Sequence, residues 1–108
     1  MTKQDAENLE RLLINKRFET EETNRVYTFI QQLKPEIFGE SHTVIIENSD
    51  TNRIVGMNSI YLNYIDDKVN VFIDDTNYTI SDVNNSEDLL IIKLFHSDEH
   101  SLILHEIK

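Results

Sequence analysis

The chain has 108 residues, enough for one domain whose single core buries roughly two-thirds of its unfolded surface. It contains no cysteine, which excludes a disulfide framework, a thiolate metal site and a thiol nucleophile. Twenty acidic residues against ten basic ones give a net charge of −10, which opposes direct contact with nucleic acid or an anionic membrane and favours a basic partner.

From the N-terminus, Thr2 to about Arg17 reads as an amphipathic helix. Thr2 is placed to act as N-cap with Asp5 at the third helical position, a capping-box arrangement, and Glu7 suits the positive end of the helix. Ala6, Leu9 and Leu13, flanked by Leu12, form one stripe that Phe18 closes, while Arg11, Lys16 and Arg17 come late, where cations suit the dipole. Thr20 can cap a second helix over about Glu21 to Lys34, with Val26, Ile30 and Leu33 at i, i+4 and i+7 and with Tyr27 and Phe29 broadening the face. Pro35 disfavours helix at Lys34, Ile37 and Phe38 pack as a short turn, and Gly39 permits a left-handed exit.

From His42 the period changes to two. HTVIIEN and RIVGMN flank a hairpin loop at Ser49, Asp50, Thr51 and Asn52. The stretch SIYLNYIDDKVNVFIDDTNYTI, Ser59 to Ile80, alternates most clearly: Ile60, Leu62 and Tyr64, then Val69, Val71 and Ile73, then Tyr78 and Ile80. Its interruptions, Asp66-Asp67 and Asp74-Asp75, read as hairpin turns, since Asp side chains bond their own backbone. Residues 82–88 read as a longer polar loop, LLIIKLFH as a β-prone run, and SDEH as the turn into the last strand, SLILHEI. The predicted fold is therefore α+β: an N-terminal helical hairpin packed on an antiparallel β meander of about six or seven strands. One domain covers 1–108, with helices over about 2–38 and the sheet over about 42–107.

The chemistry-bearing residues point away from catalysis. His96 and His100 lie close across a predicted hairpin turn, but beyond Asp98 and Glu99 nothing in the sequence completes a zinc set, and no metal or cofactor is expected. The carboxylate pairs Asp66-Asp67, Asp74-Asp75 and Glu87-Asp88 sit in solvated turns. There a shared environment gives no separation of pKa values for acid–base work. With only Gly39 and Gly56 there is neither a calcium loop nor a phosphate-cradling loop near them, and no Gly-x-Ser-x-Gly elbow exists, so no enzyme is expected. Tyr61, Asn63 and Phe72 alternate out of phase with the buried set and belong to a second core face or to a contact patch.

Charge is uneven along the chain. Residues 1–41 carry eight acids and six bases, and residues 42–108 carry twelve acids and four bases, so −8 of the −10 lies in the β portion. Asp66, Asp67, Asp74, Asp75, Asp82, Glu87 and Asp88 concentrate that charge outside the predicted apolar stripe and are the candidate partner contacts. Charge of this size also serves solubility alone. The opening segment MTKQDAENLE lacks the apolar core of a secretory signal, and no apolar run approaches the ~18 residues that cross a bilayer, so a cytoplasmic protein is expected, as monomer or small homo-oligomer. Fourteen isoleucines and eleven asparagines against one alanine suit an AT-rich genome, such as a low-GC bacterium or its phages.

A helical start, the acid-rich stretch IYLNYIDDKVNVFIDDTNYTI and the closing LILHEIK together resemble, in general plan, the type II anti-CRISPR proteins of phages that infect low-GC Gram-positive bacteria. Several of those are acidic α+β proteins that occupy the DNA-binding channel of Cas9. The resemblance implies a phage or mobile-element inhibitor of a DNA-targeting nuclease, in which carboxylates stand in for DNA phosphates against the channel's Lys and Arg. The alternative is a non-catalytic acidic interaction module, or an immunity-type module, that captures a basic protein. A third is a structural subunit that adds its last strand to a partner sheet.

Overall fold

The computed structural model describes residues 2–21, 25–34, 40–49, 52–58 and 62–107. One helix, α1 (Lys3–Leu13), is followed by eight strands: β1 (Arg17–Thr20), β2 (Val26–Lys34), β3 (Glu40–Glu47), β4 (Arg53–Asn58), β5 (Asn70–Ile73), β6 (Thr76–Ser86), β7 (Leu89–Ser97) and β8 (His100–Ile107). All pair antiparallel in one sheet of order β4-β3-β2-β1-β8-β7-β6-β5. Two four-strand meanders are thus zipped together by the β1–β8 ladder. The free edges β4 and β5 then curl round to meet, where the Asp74 N–H donates to the Val55 carbonyl at 2.8 Å, and the result is a nearly closed barrel.

Period-two patterning explains how the barrel fills. Val69, Val71, Ile73, Tyr78 and Ile80 all turn inward, as their alternation predicts, and meet Leu90, Ile92, Leu94 and Leu104 from β7 and β8. Phe18 and Phe29 pack edge to face at 5.6 Å between ring centroids. The helix adds Ala6, Leu9 and Leu13 to the same core. Its start follows the sequence reading: Thr2 accepts from the Asp5 N–H, and Asp5 accepts from the Thr2 N–H, closing the capping box. Such a cap contributes ~1 kcal/mol. Each fully buried leucine contributes about 1.5–3 kcal/mol, so packing rather than capping holds the helix on the barrel.

The predicted helical hairpin on six or seven strands is not what forms. Among the described residues the chain makes a single helix and an eight-strand sheet that already begins at Arg17. The helix stops at Leu13 because Asn15 takes a left-handed φ of 69° and turns its N–H to the Phe29 carbonyl. Phe18 consequently enters the core from β1 rather than closing a helical stripe. The predicted second helix is β2, which pairs with β1 on one side and β3 on the other. Val26, Ile30 and Leu33 satisfy a helical period, but Tyr27 and Phe29, two residues apart, are buried in the core while Val26 and Ile30 are only half-buried. Five consecutive β-branched or aromatic residues, Val26 to Ile30, favour the extended chain. Pro35, Ile37, Phe38 and Gly39 lie outside the described residues.

The polar run 82–88 is not a loop: β6 continues to Ser86 and pairs with Leu89, so the turn is Glu87-Asp88 alone. Asp82, Asn84, Asn85 and Ser86 are exposed on both faces of this hairpin. Within the Ser59–Ile80 stretch, Leu62 and Asn63 adopt positive φ (51° and 55°) instead of continuing a strand. Leu62 is nonetheless buried, and this connector is pinned by Asn70, whose Nδ2 donates to the Asn63 carbonyl and whose Oδ1 accepts from Thr79 Oγ1. Ile60 and Tyr61 lie outside the described residues.

Closure of the barrel depends on two local features of β4. The β3–β4 register shifts between Ile45 and Ile46, leaving Val55 as an extra residue in a bulge, which bends the strand toward β5. Beside it, a Cβ placed on Gly56 would stand 1.8 Å from the Phe72 carbonyl oxygen, and that atom belongs to the backbone of β5. Only glycine admits so close an approach of two strands. Gly56→Ala is expected to lower stability by at least the ~1–3 kcal/mol of a forced core shift, read as a lower denaturant midpoint. Conversely, Asp88 holds a φ of 66° as the second residue of a two-residue turn whose first residue, Glu87, is also left-handed at 52°. Asp88→Gly relieves a left-handed non-glycine residue and is expected to raise stability by up to ~1 kcal/mol in the same assay.

Candidate functional site

The seven candidate acids are all exposed, and the topology divides them. Asp66-Asp67 sits in the β4–β5 connector and Glu87-Asp88 in the β6–β7 turn, both at the end of the barrel that α1 covers. Asp74-Asp75 forms the β5–β6 turn at the opposite end, and Asp82 lies along the wall, paired in register with Lys93. All six turn residues have positive φ, between 50° and 66°. Each pair is therefore held in a rigid two-residue turn. Asp67 also accepts from the Tyr64 hydroxyl at 2.8 Å.

Charge pairing differs among the acidic turns; at the Asp74 end itself, Asp75, Asp98 and Glu99 are exposed and no ion pair engages them among the described residues. At the Asp74 end, Arg25 donates through Nε and Nη2 to both oxygens of Glu47, at 3.0 and 2.6 Å, and through Nη1 to Asp74 at 2.8 Å. Arg53 reaches Glu47 at 2.8 Å and Asp74 at 3.2 Å. Arg25 precedes β2, Glu47 ends β3, Arg53 starts β4 and Asp74 follows β5, so this network of two cations and two anions clasps the β4–β5 seam. The bidentate Arg25 contact is the strong kind of charge-assisted pair. It draws the Glu47 carboxyl down to about 2, with Arg53 assisting. No sequence signal announced the clasp, since its members are scattered over 50 residues of chain. At the α1 end, among the described residues, no ion pair engages Asp66, Asp67, Glu87 or Asp88.

A second feature of the α1 end escaped the sequence reading. Glu10 is only 5% exposed and packs with Ala6, Leu9 and Leu13 on the inner face of the helix. Burial pushes its carboxyl above the ordinary range. The Thr43 hydroxyl and the Leu62 backbone amide oppose that shift, nearby Glu7 adds to it, and Arg11 opposes it weakly. Even so, among the described residues neither Glu10 Oε2 nor Thr43 Oγ1, both buried, makes a well-directed hydrogen bond. Glu10 lines a cavity of about 350 Å³ together with Glu7, Arg11 and Gln31. The signal was present: Glu10 stands four residues after Ala6, on the apolar stripe itself, where a charged side chain is out of place.

The histidines do meet. His96 and His100 stack edge to face at 5.9 Å across the β7–β8 turn, at a register shift between Phe95 and Ser97. His96 Nδ1 lies 2.9 Å from the Asn77 carbonyl and His100 Nδ1 lies 3.3 Å from Ser97 Oγ. Among the described residues, no group of three His, Asp or Glu side chains is arranged to hold a metal ion. Phe72 stands on the outer face of β5, 39% exposed, and Phe95 on that of β7; Tyr61 lies outside the described residues.

The two perturbed glutamates give opposite pH dependences. Glu47 has a folded-state pKa below its ordinary 4.5, so its contribution is complete above that value and is lost as pH falls toward about 2. Glu47→Gln is expected to remove about 1–2 kcal/mol at neutral pH, the partial exposure of the network being allowed for, and to flatten the acid limb of the stability profile. Glu10 has a folded-state pKa above 4.5, so stability falls as pH rises from that value through the raised one. Glu10→Gln, which keeps the shape and removes the buried charge, is expected to raise the melting temperature at neutral pH and to leave it little changed in acid.

No helix among the described residues is long and apolar enough to cross a membrane. No family model, curated protein or solved structure matches the chain, so its chemistry is read from its own residues.

Proposed function

We propose that the protein is a non-catalytic binding module that engages a basic, nucleic-acid-binding protein through carboxylates at the α1 end of the barrel. The supporting observation is the contrast between Asp74 and the acidic turns at the α1 end. Asp74 is matched by Arg25 and Arg53, whereas Asp66, Asp67, Glu87 and Asp88 are held exposed in rigid turns with no cation paired to them among the described residues. Fixed, unneutralised carboxylates attract a cationic surface without ordering costs at the moment of contact.

The particular partner we propose is a Cas9-type effector of a bacterial defence system, inhibited by a phage or mobile-element protein. Its guide-loaded form presents a positively charged channel for target DNA, and carboxylates at the barrel end would compete with phosphates for the same Lys and Arg. The contact set narrows from seven candidates to Asp66, Asp67, Glu87 and Asp88. Asp74 belongs to the seam clasp, Asp75 shares its end of the barrel, and Asp82 lies on the wall.

A competition assay with a guide-loaded Cas9-type effector tests this. The protein is expected to bind before target DNA is added and to be excluded once DNA fills the channel. Neutralising the four residues together (Asp66→Asn, Asp67→Asn, Glu87→Gln, Asp88→Asn) preserves turns that Asn tolerates well. It is expected to weaken binding at least about tenfold and to flatten its salt dependence, with stability changed by only about 0.5 kcal/mol per site. Equal binding to empty and DNA-filled effector, or unchanged affinity in the quadruple variant, contradicts the proposal.

A further inference from the structure

The β6–β7 hairpin carries β6 past the end of its neighbour β5. Pairing between β5 and β6 stops at Asn70 and Thr79, and the bond from the Ile80 N–H to the Val69 carbonyl, at 2.9 Å, is the last on that side among the described residues. β6 runs on to Ser86, paired there with β7 alone. We infer that this free edge of β6, centred on Val83 and Asn85, is a docking site for an extended basic segment of a protein partner, which adds to the sheet as a further strand. The inference rests on the basic partner proposed above and names how that partner docks.

The hairpin's own hydrogen bonds identify the groups on offer. Glu87 and Asp88 form a two-residue turn with both φ positive, so Ser86 and Leu89 are a hydrogen-bonded pair, and bonded and non-bonded pairs then alternate along the ladder. Asn84 and Asp82 accordingly bond to β7, whereas Asn85 and Val83 turn their N–H and C=O to the free edge. Two contacts agree with this alternation. The Asn85 N–H donates to the Asn84 side chain at 3.0 Å rather than to β7, and the N–H of its cross-strand neighbour Leu90 turns the other way, to Glu106 Oε1 at 3.0 Å. The β7 side of the pair is therefore capped from β8. On the β6 side, the described residues supply only that Asn84 side chain. Asp82, Asn84, Asn85 and Ser86 are exposed, so the edge meets solvent. Unpaired backbone donors and acceptors in an extended strand are a template for another strand.

Charge selects the occupant. From Ser81 to Lys93 the hairpin carries Asp82, Glu87 and Asp88 against one cation, Lys93. Asp67 stands two residues before Val69, where the gap beside β6 begins, and Glu87 one residue after Ser86, where it ends. A strand bearing Lys or Arg thus meets carboxylates at both ends of the gap. A second copy of this edge would bring like charges together, and the bulge at Ser81 opposes flat edge-to-edge pairing. The last strand, β8, lies between β1 and β7 and has no edge to add to a partner's sheet.

A synthetic extended peptide, Lys-Thr-Lys-Val-Lys-Thr-Lys, is the probe. Its control has the same sequence N-methylated at every internal residue, which keeps the lysine charges and removes the backbone donors. Titration of the intact protein is followed by NMR through the Val83 and Asn85 amides. The expected result is saturable binding, amide exchange slowed at least about tenfold at both residues on saturation, and binding of the N-methylated control at least about tenfold weaker. Asn85→Pro removes one edge-facing donor, leaves the charge unchanged and breaks no β6–β7 bond. Once its melting curve shows it folded, it is expected to weaken the unmodified peptide and to leave the control unchanged. Where that variant does not fold, the wild-type exchange pattern decides by itself. The Asp66→Asn, Asp67→Asn, Glu87→Gln, Asp88→Asn variant separates this inference from the reading beneath it. Binding that needs those carboxylates but is equal for the two peptides contradicts strand addition and leaves the basic-partner reading standing. Discrimination between the peptides at undiminished affinity in that variant keeps strand addition and contradicts the carboxylate contact. Absence of a saturable response overturns the inference, as does protection of Val83 and Asn85 that grows with protein concentration without peptide, which assigns the edge to a second copy.

Discussion

The β4–β5 seam is the constraint on which the rest of this molecule depends. An antiparallel sheet with one apolar face must cover that face, and eight strands do so here by curling until their edges touch. The touch is made by backbone: the Val55 bulge turns β4 inward, its carbonyl accepts from Asp74, and Gly56 lets the Phe72 carbonyl approach where any side chain would collide. Arg25 and Arg53 then bind Glu47 and Asp74 across the same seam. Steric permission, a strand bend and a charge network thus act at one place.

Closing the seam this way also sorts the charge. The clasp sets two carboxylates against two guanidiniums, so Glu47 and Asp74 are neutralised at the seam, while Asp75, Asp98 and Glu99 at the same end stay exposed. Much of the acid outside the clasp stands in solvent. Part of it stands in the connector and hairpin turns at the α1 end, where two-residue turns with positive φ fix the carboxylates outward. Covering that end falls to α1, and its inner face brings Glu10 into a region otherwise filled by Ala6, Leu9, Leu13 and Leu62. A single charged residue on an apolar helical stripe thereby becomes a buried acceptor beside a cavity.

What the sequence disclosed follows from which interactions are local. The Thr2–Asp5 capping box, the alternation of Val69, Val71 and Ile73, and the turns at Asp66-Asp67 and Asp74-Asp75 depend on neighbours within a few residues, and the structure bears them out. The second helix failed because Val26 to Leu33 carries two periods at once. The choice between them is made by strands β1 and β3, which no local pattern contains. Polarity misled at Asp82 to Ser86, where an exposed strand pair has the composition of a loop. Barrel closure was invisible, since it rests on Gly56 facing a carbonyl sixteen residues away in sequence, and the clasp joins residues up to 49 apart. Glu10 was legible in principle from its place on the stripe.

The central proposal is that the Asp66-Asp67 and Glu87-Asp88 turns, rather than the clasped Glu47 and Asp74, are the carboxylates that meet a cationic surface. Carbodiimide labelling of individual carboxylates, with and without a lysine-rich peptide as a generic basic probe, measures that difference residue by residue. The account predicts strong labelling of Asp66, Asp67, Glu87 and Asp88 alone, protection of those four together when the peptide is added, and little labelling of Glu47 or Asp74 in either state. Protection centred on Asp74 and Asp75, or spread evenly over all exposed carboxylates, would contradict it.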